Sequence, residues 1–451
     1  MIAYPELAAI RLGYGLSPLM AAPVDPAQVL ASVAGAGPDA DAISVASISA
    51  MQRDLVRLRR RAKAGDRKAR AQADDIGALS DRMIALAQRR EMARALDAPA
   101  GFGERLVRFW SDHYTVRGGN SERRLLGVSL VDEAIRPHLG GSFADMMFAA
   151  ETHPAMLLYL SQQGSVGPNS RFARKRGGGL NENLAREMIE LHSLGVGADY
   201  TQADVRQLAE LLTGLRYHRD RGIFDATRAE PGPETVLGRR YGDKGPASLD
   251  DIRAVITDLA ARPETARHLA RKLVVHFVSD DPPQGLVDRL AATYSESGGD
   301  LAVVNAALAQ APELAARFRE KARQPYDFVI AALRSLGFTG RQLLDMKPGV
   351  FQRGIIRPMA LMGQNWGAPR GPDGWPEAAH SWITPQGLAA RIHWSAQVLP
   401  RLHRVRPEPR EFLAAAFGDT ASEPLKWAVP RAESVRDAIV IALSSADFNR
   451  R

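Results

Sequence analysis

Asn183, Arg186, Glu187 and Glu190 follow one another at spacings that place them, at about 100° per residue, on one arc of a helix, while Leu184, Met188 and Leu191 fall on the other side. Two carboxylates, a guanidinium and an amide on one face can do acid–base chemistry or hold a cation if they are buried together. Arg186 would then orient a carboxylate, and Glu187 or Glu190 would act as base or metal ligand. The bland alternative is an intrahelical ion pair: Arg186 and Glu190 are four residues apart, and such a pair contributes about 0.3–0.5 kcal/mol when exposed. Upstream, Gly177-Gly178-Gly179 is expected to be a hinge or lid, or else an anion-binding loop supported by Arg171, Arg174, Lys175 and Arg176. Asn181 suits the N-cap of the polar helix, its side chain accepting from the amides of the next turn.

A second set of candidates lies in Phe109-Trp110-Ser111-Asp112-His113-Tyr114. His113 adjoins Asp112 and follows Trp110 by three places, so it can act as a general base or ligate a metal with an oriented imidazole, or be a hydrogen-bonded structural residue. His192 and His276 sit among apolar neighbours and are expected to be buried structural imidazoles. No His-Glu-x-x-His motif is present, and Glu377 with His380 stands alone in an expected loop. A metal site would therefore need distant segments, for instance His113 with Glu187 and Glu190. The sequence names neither a metal nor a cofactor. Trp366 and Trp375 lie on a proline-bearing loop and could line a carbohydrate or peptide groove, or plug the core. The Gly-x-Ser-x-Gly elbow, the Walker phosphate loop and a strand-linked Gly-x-Gly-x-x-Gly are all missing, which removes the commonest hydrolase, nucleotide and dinucleotide signals.

The elements that must position these groups are helical. Helical spacing or capping signals mark residues 107–114, 131–150, 183–194, 203–215, 249–259, 263–278, 283–294, 300–308, 324–336 and 432–443. Residues 55–70 and 76–96 predict two long polar helices, broken near Gly65 and again near Asp74-Asp75, within a basic hairpin over 51–98 that projects from the body. Alternating β-branched residues are scarce, leaving little more than a hairpin around 215–240. Segments 164–180, 216–248 and 364–387 are expected to be long surface loops. The expected fold is all-α: a large irregular multi-helical bundle with long loops and at most a small β-hairpin, forming one unit over 1–451.

Several ordered blocks carry a family resemblance. Arg11-Leu12-Gly13-Tyr14-Gly15, Phe109-Trp110-Ser111-Asp112-His113-Tyr114-Thr115-Val116, the 177–192 run, Tyr200-Thr201-Gln202-Ala203-Asp204-Val205, Thr213-Gly214, Ala270-Arg271-Lys272-Leu273, His276-Phe277-Val278-Ser279-Asp280, Gly374-Trp375-Pro376 and Ser445-Ala446-Asp447-Phe448-Asn449-Arg450 resemble the bacterial domain-of-unknown-function family numbered 1800. The resemblance covers nearly the whole chain and names no reaction. Many relatives carry a His-Asp pair and a lysine before a Leu-Gly where this chain has Ala229-Glu230-Pro231-Gly232-Pro233-Glu234-Thr235-Val236-Leu237-Gly238. Chemistry resting on those residues would be closed to this member. The resemblance also implies a partner, because relatives are commonly encoded beside a sulfatase-like family.

Composition bounds the function. Without cysteine, disulfides, thiolate metal sites and a cysteine nucleophile are excluded. The net charge of +8 is concentrated in residues 53–70, where nine basic residues face two acidic ones. No aromatic residue interleaves that run, so a solvated helix face is expected and nucleic acid is disfavoured. No apolar run reaches the roughly 20 residues needed to span a bilayer, and the start lacks the sections of a secretory signal. Cytoplasm is thereby favoured and periplasm left open. Two functions follow: an enzyme of unknown reaction with an Asn/Arg/Glu/His pocket under a glycine-rich lid, or a non-catalytic assembly or maturation partner of a sulfatase-like protein.

Overall fold

The computed structural model describes residues 2–218, 222–404 and 406–451. Helices account for most of it, and strands form only two two-stranded antiparallel sheets among the described residues. The all-α expectation holds, with two small hairpins in place of one: β1 (Leu215–His218) pairs with β2 (Gly222–Phe224), and β3 (Glu234–Val236) with β4 (Arg239–Tyr241). Of the 216–248 loop, residues 219–221 lie outside the described residues.

Helix α1 (Val45–Lys63) starts where Ser44 accepts from the Ser47 amide and ends before Gly65, whose φ of 94° reverses the chain. Helix α2 (Arg67–Asp97) then begins at Asp66, which accepts from the Ala69 amide at 2.9 Å. The break expected at Asp74-Asp75 does not occur. Both are exposed on the solvated face of α2, where aspartate carries too small a helix penalty to interrupt a chain packed on both sides. At the hairpin tip Leu55, Leu58, Ala69 and Ala73 make a small apolar cluster of their own, and all nine basic side chains between 53 and 70 are exposed.

The apolar interior is otherwise divided into two large clusters. One gathers residues from 8 to 314 and the other residues from 326 to 448, joined by Tyr14 and by Met92, Ala93, Ala95 and Leu96 at the end of α2. Helix α3 (Phe102–His113) supplies the first cluster with Phe102, Leu106, Phe109 and Trp110. Phe102 meets Phe277 edge-on at 5.5 Å between ring centroids, fixing α3 against α7 (Pro263–Phe277), whose Pro263 opens the helix. Between them in sequence lie α4 (Ser121–Leu130), α5 (Asn183–Glu190) and α6 (Gln202–Leu211), the last started by a Thr201/Asp204 capping box. Helix α8 (Pro325–Ser335) is buried along its whole length in the second cluster.

Candidate functional site

Helix α5 forms as its polar and apolar residues predict, and its polar face lies at the surface. Arg186 reaches Glu190 at 3.2 Å and Glu182 at 3.3 Å, and donates to Gln202 of α6 at 2.9 Å; the Tyr200 hydroxyl donates to Glu190 at 2.9 Å. Asn183 is exposed, while Glu187 and Glu190 are each partly buried. Burial raises the Glu187 pKa, with Glu190 and Glu151 adding to the rise and His192 opposing it. Asn181 accepts from the Asn183 amide at 2.9 Å and donates to the Ser161 carbonyl at 2.9 Å, so it ties the approach to α5 onto the preceding turn. The glycine run does not open α5 directly, since Leu180, Asn181 and Glu182 intervene. It is pinned: Val166 donates to the Gly179 carbonyl at 3.1 Å, and a Cβ on Gly178 would stand 2.8 Å from that of Val166.

His113 is buried and fully engaged. Lys272 Nζ lies 2.9 Å from its Nδ1, so the ammonium donates there, and Nε2, carrying the ring proton, faces the His192 carbonyl at 3.3 Å. Burial, Lys272 and the neighbouring His192 and His268 push its pKa well below the usual imidazole value and keep it neutral. It meets the chain just beyond the end of α5, at the His192 carbonyl, and makes no hydrogen bond to either glutamate among the described residues. His192 itself pairs with the fully buried Glu151 at 2.6 Å. Trp110 is enclosed in the core between Phe109, Tyr114 and Phe143.

Trp366 and Trp375, by contrast, line a cleft of about 490 Å³. Its walls are helical stripes. Helix α3 presents Glu104, Val107, Arg108, Ser111 and Asp112; α2 presents Ala87, Arg90, Glu91 and Arg94; α4 contributes Arg123, Arg124 and Gly127. Each set repeats at three or four residues, the spacing of one helix face. Most of the carboxylates are locked by guanidinium groups. Glu104 takes both Arg136 Nη atoms, at 2.8 and 3.0 Å, and Arg94 Nε at 2.7 Å. Glu91 accepts from Arg108 at 3.0 Å and from the Trp366 indole at 2.7 Å. Arg108 also lies 4.5 Å over the Tyr326 ring.

Asp112 is different. Among the described residues its hydrogen-bond donor is the Trp375 amide, 3.0 Å from both carboxyl oxygens. Burial pushes its pKa up to about 7, against the pull of the Trp375 amide and the Arg108 charge, and Glu377 adds to the rise. Behind Trp375 a chamber of about 20 Å³ is lined by Arg105, Arg108, Asp112, His276 and Asp327, enough volume for one water. His276 closes it in the δ-protonated form, with Nδ1 2.6 Å from Glu377 and Nε2 accepting from Arg105 at 3.0 Å. Burial alone would raise the Glu377 pKa, but His276 and Lys321, whose Nζ is 3.2 Å from Oε2, outweigh it and hold it down to about 2.

Asp112, Arg108, Glu91, Lys272 and Lys321 were not singled out from the sequence as site residues. The signal for the first two was the polar stripe at 104, 108, 111 and 112 within a helix whose other face is aromatic. Among the described residues no group of three or more His, Asp or Glu side chains is arranged to hold a metal ion, and no helix is long and apolar enough to cross a membrane. The model of a protein family described as a protein of unknown function, DUF1800, matches residues 8–450. No curated protein and no solved structure matches the chain.

Proposed function

The chain belongs to the DUF1800 family, whose function is unknown, and from that premise we propose that it is an acid–base hydrolase whose active site is the tryptophan-walled cleft, with Asp112 as the proton-transferring group. The observation that carries this is the Asp112 carboxyl itself. It lies in the cleft wall, with no guanidinium at hydrogen-bond distance among the described residues and a pKa pushed up to about 7. A carboxyl titrating near neutrality can both take and return a proton at physiological pH, which is where general acid–base catalysis is most effective. The one-water chamber at its side suits a reaction in which water attacks. Trp366, its indole fixed by Glu91, and Trp375, fixed through its amide by Asp112, offer rigid aromatic faces, and Arg108 adds a fixed positive charge. Flat apolar walls beside polar groups match a polyhydroxylated ring, so the substrate class is a saccharide.

The α5 cluster supports this role less well, because its arginine is satisfied at the surface and His113 has both nitrogens occupied. For the alternative, a binding partner of a sulfatase-like protein without chemistry, an exposed apolar face at the tryptophan loop would be the natural support. Trp366 and Trp375 are instead partly buried and turned into the cleft. The test is a panel of oligosaccharides incubated in 18O-enriched water with products read by mass spectrometry. Conversion with one heavy oxygen incorporated, abolished by Asp112→Asn and weakened in KM by Trp366→Ala, is the expected result. Conversion that survives Asp112→Asn, or no conversion of any member of the panel, overturns the assignment.

A further inference from the structure

A second groove, about 720 Å³ in volume, runs between the basic hairpin and the body. It is lined by Arg53, Arg57, Arg60, Arg61, Arg123 and Arg216, with Glu122 as the carboxylate among the lining residues. The basic run therefore does more than cover a solvated face: four of its arginines turn toward a shared open groove. On α1 they occupy successive turns, Arg53, then Arg57, then Arg60 with Arg61, at intervals of about 5.4 Å. Arg57 and Arg61 hold Asp54 and Asp66, but these pairs are exposed and such contacts contribute little. Arg60 and Arg123 make no ion pair among the described residues, and the Arg216 Nε is buried with no hydrogen-bond partner among them. A buried guanidinium N–H without an acceptor is costly unless a ligand supplies one.

Arg123 lines both this groove and the tryptophan cleft. The two are thus adjoining parts of one surface, basic at one end and aromatic with a near-neutral carboxyl at the other. We infer that the groove seats an anionic polysaccharide, carboxylated or sulfated, whose terminal unit passes Arg123 into the cleft. The second half of this inference rests on the proposed function, whereas the seating of the chain in the groove does not.

A polymer with one negative group per ring suits a ladder of guanidinium groups repeating each helical turn, since arginine forks match carboxylate and sulfate oxygens alike. Nucleic acid suits it less. Single-strand binders set several aromatic platforms among their basic residues, whereas the rings that line this groove among the described residues are the largely buried Tyr217 and, beside it, the imidazole of His218. The aromatic faces occur instead in the cleft, where a sugar ring would end.

The test measures binding of the full chain to a polyuronate, a sulfated glycan, a neutral glycan of the same length and a single-stranded oligonucleotide of matched charge, at low and at physiological salt. The expected result is binding of one or both acidic glycans, falling on the order of tenfold or more with the salt increase as counterions are released, with no binding of the neutral chain. The triple variant Arg57→Glu, Arg60→Glu, Arg61→Glu should lose at least about tenfold more. Its positions are exposed and glutamate is a good helix former, and an unchanged circular dichroism spectrum would show that it folds. Asp112→Asn should bind the glycan as the parent does. Failure of both acidic glycans to bind, binding indifferent to the triple reversal, or tighter binding of the oligonucleotide overturns the inference. Absence of conversion by the parent chain with glycan binding intact would count against the hydrolase alone, and conversion of short neutral sugars without polymer binding against the groove alone.

Discussion

Gly374 lies so close to Asp112 that a Cβ on it would stand 2.7 Å from the carboxyl carbon, and its φ of +83° belongs to the left-handed region. The tryptophan loop can close on the carboxyl only because nothing projects there. Gly374→Ala should therefore lower stability by about 1–3 kcal/mol and shift the tryptophan fluorescence as Trp375 leaves its seat. Gly367→Ala, at φ +59° with nothing within 4 Å of the added carbon, is the control. It should cost less and leave the fluorescence alone. Equal effects on thermal unfolding would show that backbone strain, not the approach to Asp112, is what matters.

The raised pKa of Asp112 has a definite sign in the stability of the fold. In the unfolded chain the carboxyl titrates near 3.8, and in the fold near 7, so between those values the folded state holds the proton more tightly. Stability falls as pH rises through this window. Asp112→Asn removes the charge while keeping an acceptor for the Trp375 amide. Its stability relative to the parent should improve between pH 4 and pH 8, by about 2–4 kcal/mol at the upper limit. Denaturant titrations across that range measure it, and a constant difference would place the Asp112 pKa at its ordinary value.

Glu377 carries the opposite sign. Its folded pKa is held down to about 2, so its contribution is present above the ordinary carboxylate range and is lost as pH falls toward 2. Glu377→Gln leaves Lys321, only 1% exposed, with Asp280 as its remaining carboxylate partner. A loss of about 3–5 kcal/mol at pH 7 is expected, and the parent and variant should converge in acid. Parallel acid unfolding curves would contradict this.

At the polar face of α5 little should happen. Arg186→Ala removes contacts to Glu182 and Glu190 at a partly exposed site, and each such pair contributes at most about 1 kcal/mol. The thermal midpoint should move by no more than a few degrees, and saccharide conversion in the cleft should be unchanged. Loss of conversion with the fold intact would return α5 to the centre of the chemistry.

Much of the helical architecture was legible because its causes are local. The Thr201/Asp204 capping box, Pro263 at a helix start and the two faces of α5 all act within a few residues. What local pattern could not give was which polar face would be covered. Helix α5 is as amphipathic as a buried site helix would be, yet Gln202 and Tyr200 satisfy it at the surface. In the sequence His113 promises more chemistry than its neighbour Asp112, because the carboxyl acquires its character from burial in the folded chain, where the residue that donates to it, Trp375, is 263 residues away. His276 and Glu377 are 101 residues apart in sequence and meet at 2.6 Å. A pair of that kind is set by tertiary packing and leaves no periodic trace.

Helix α2 is a rod of 31 residues, about 46 Å long at 1.5 Å per residue. Near its start Ala69 and Ala73 hold the tip of the hairpin, and its last turns present Arg90, Glu91 and Arg94 to the cleft on one side while sinking Met92, Ala93, Ala95 and Leu96 into the second apolar cluster on the other. Because the helix is uninterrupted, the carboxylate that steadies Trp366 and the arginine-bearing hairpin are held in register by one stiff shaft, so the spacing between groove and cleft is set by helix length.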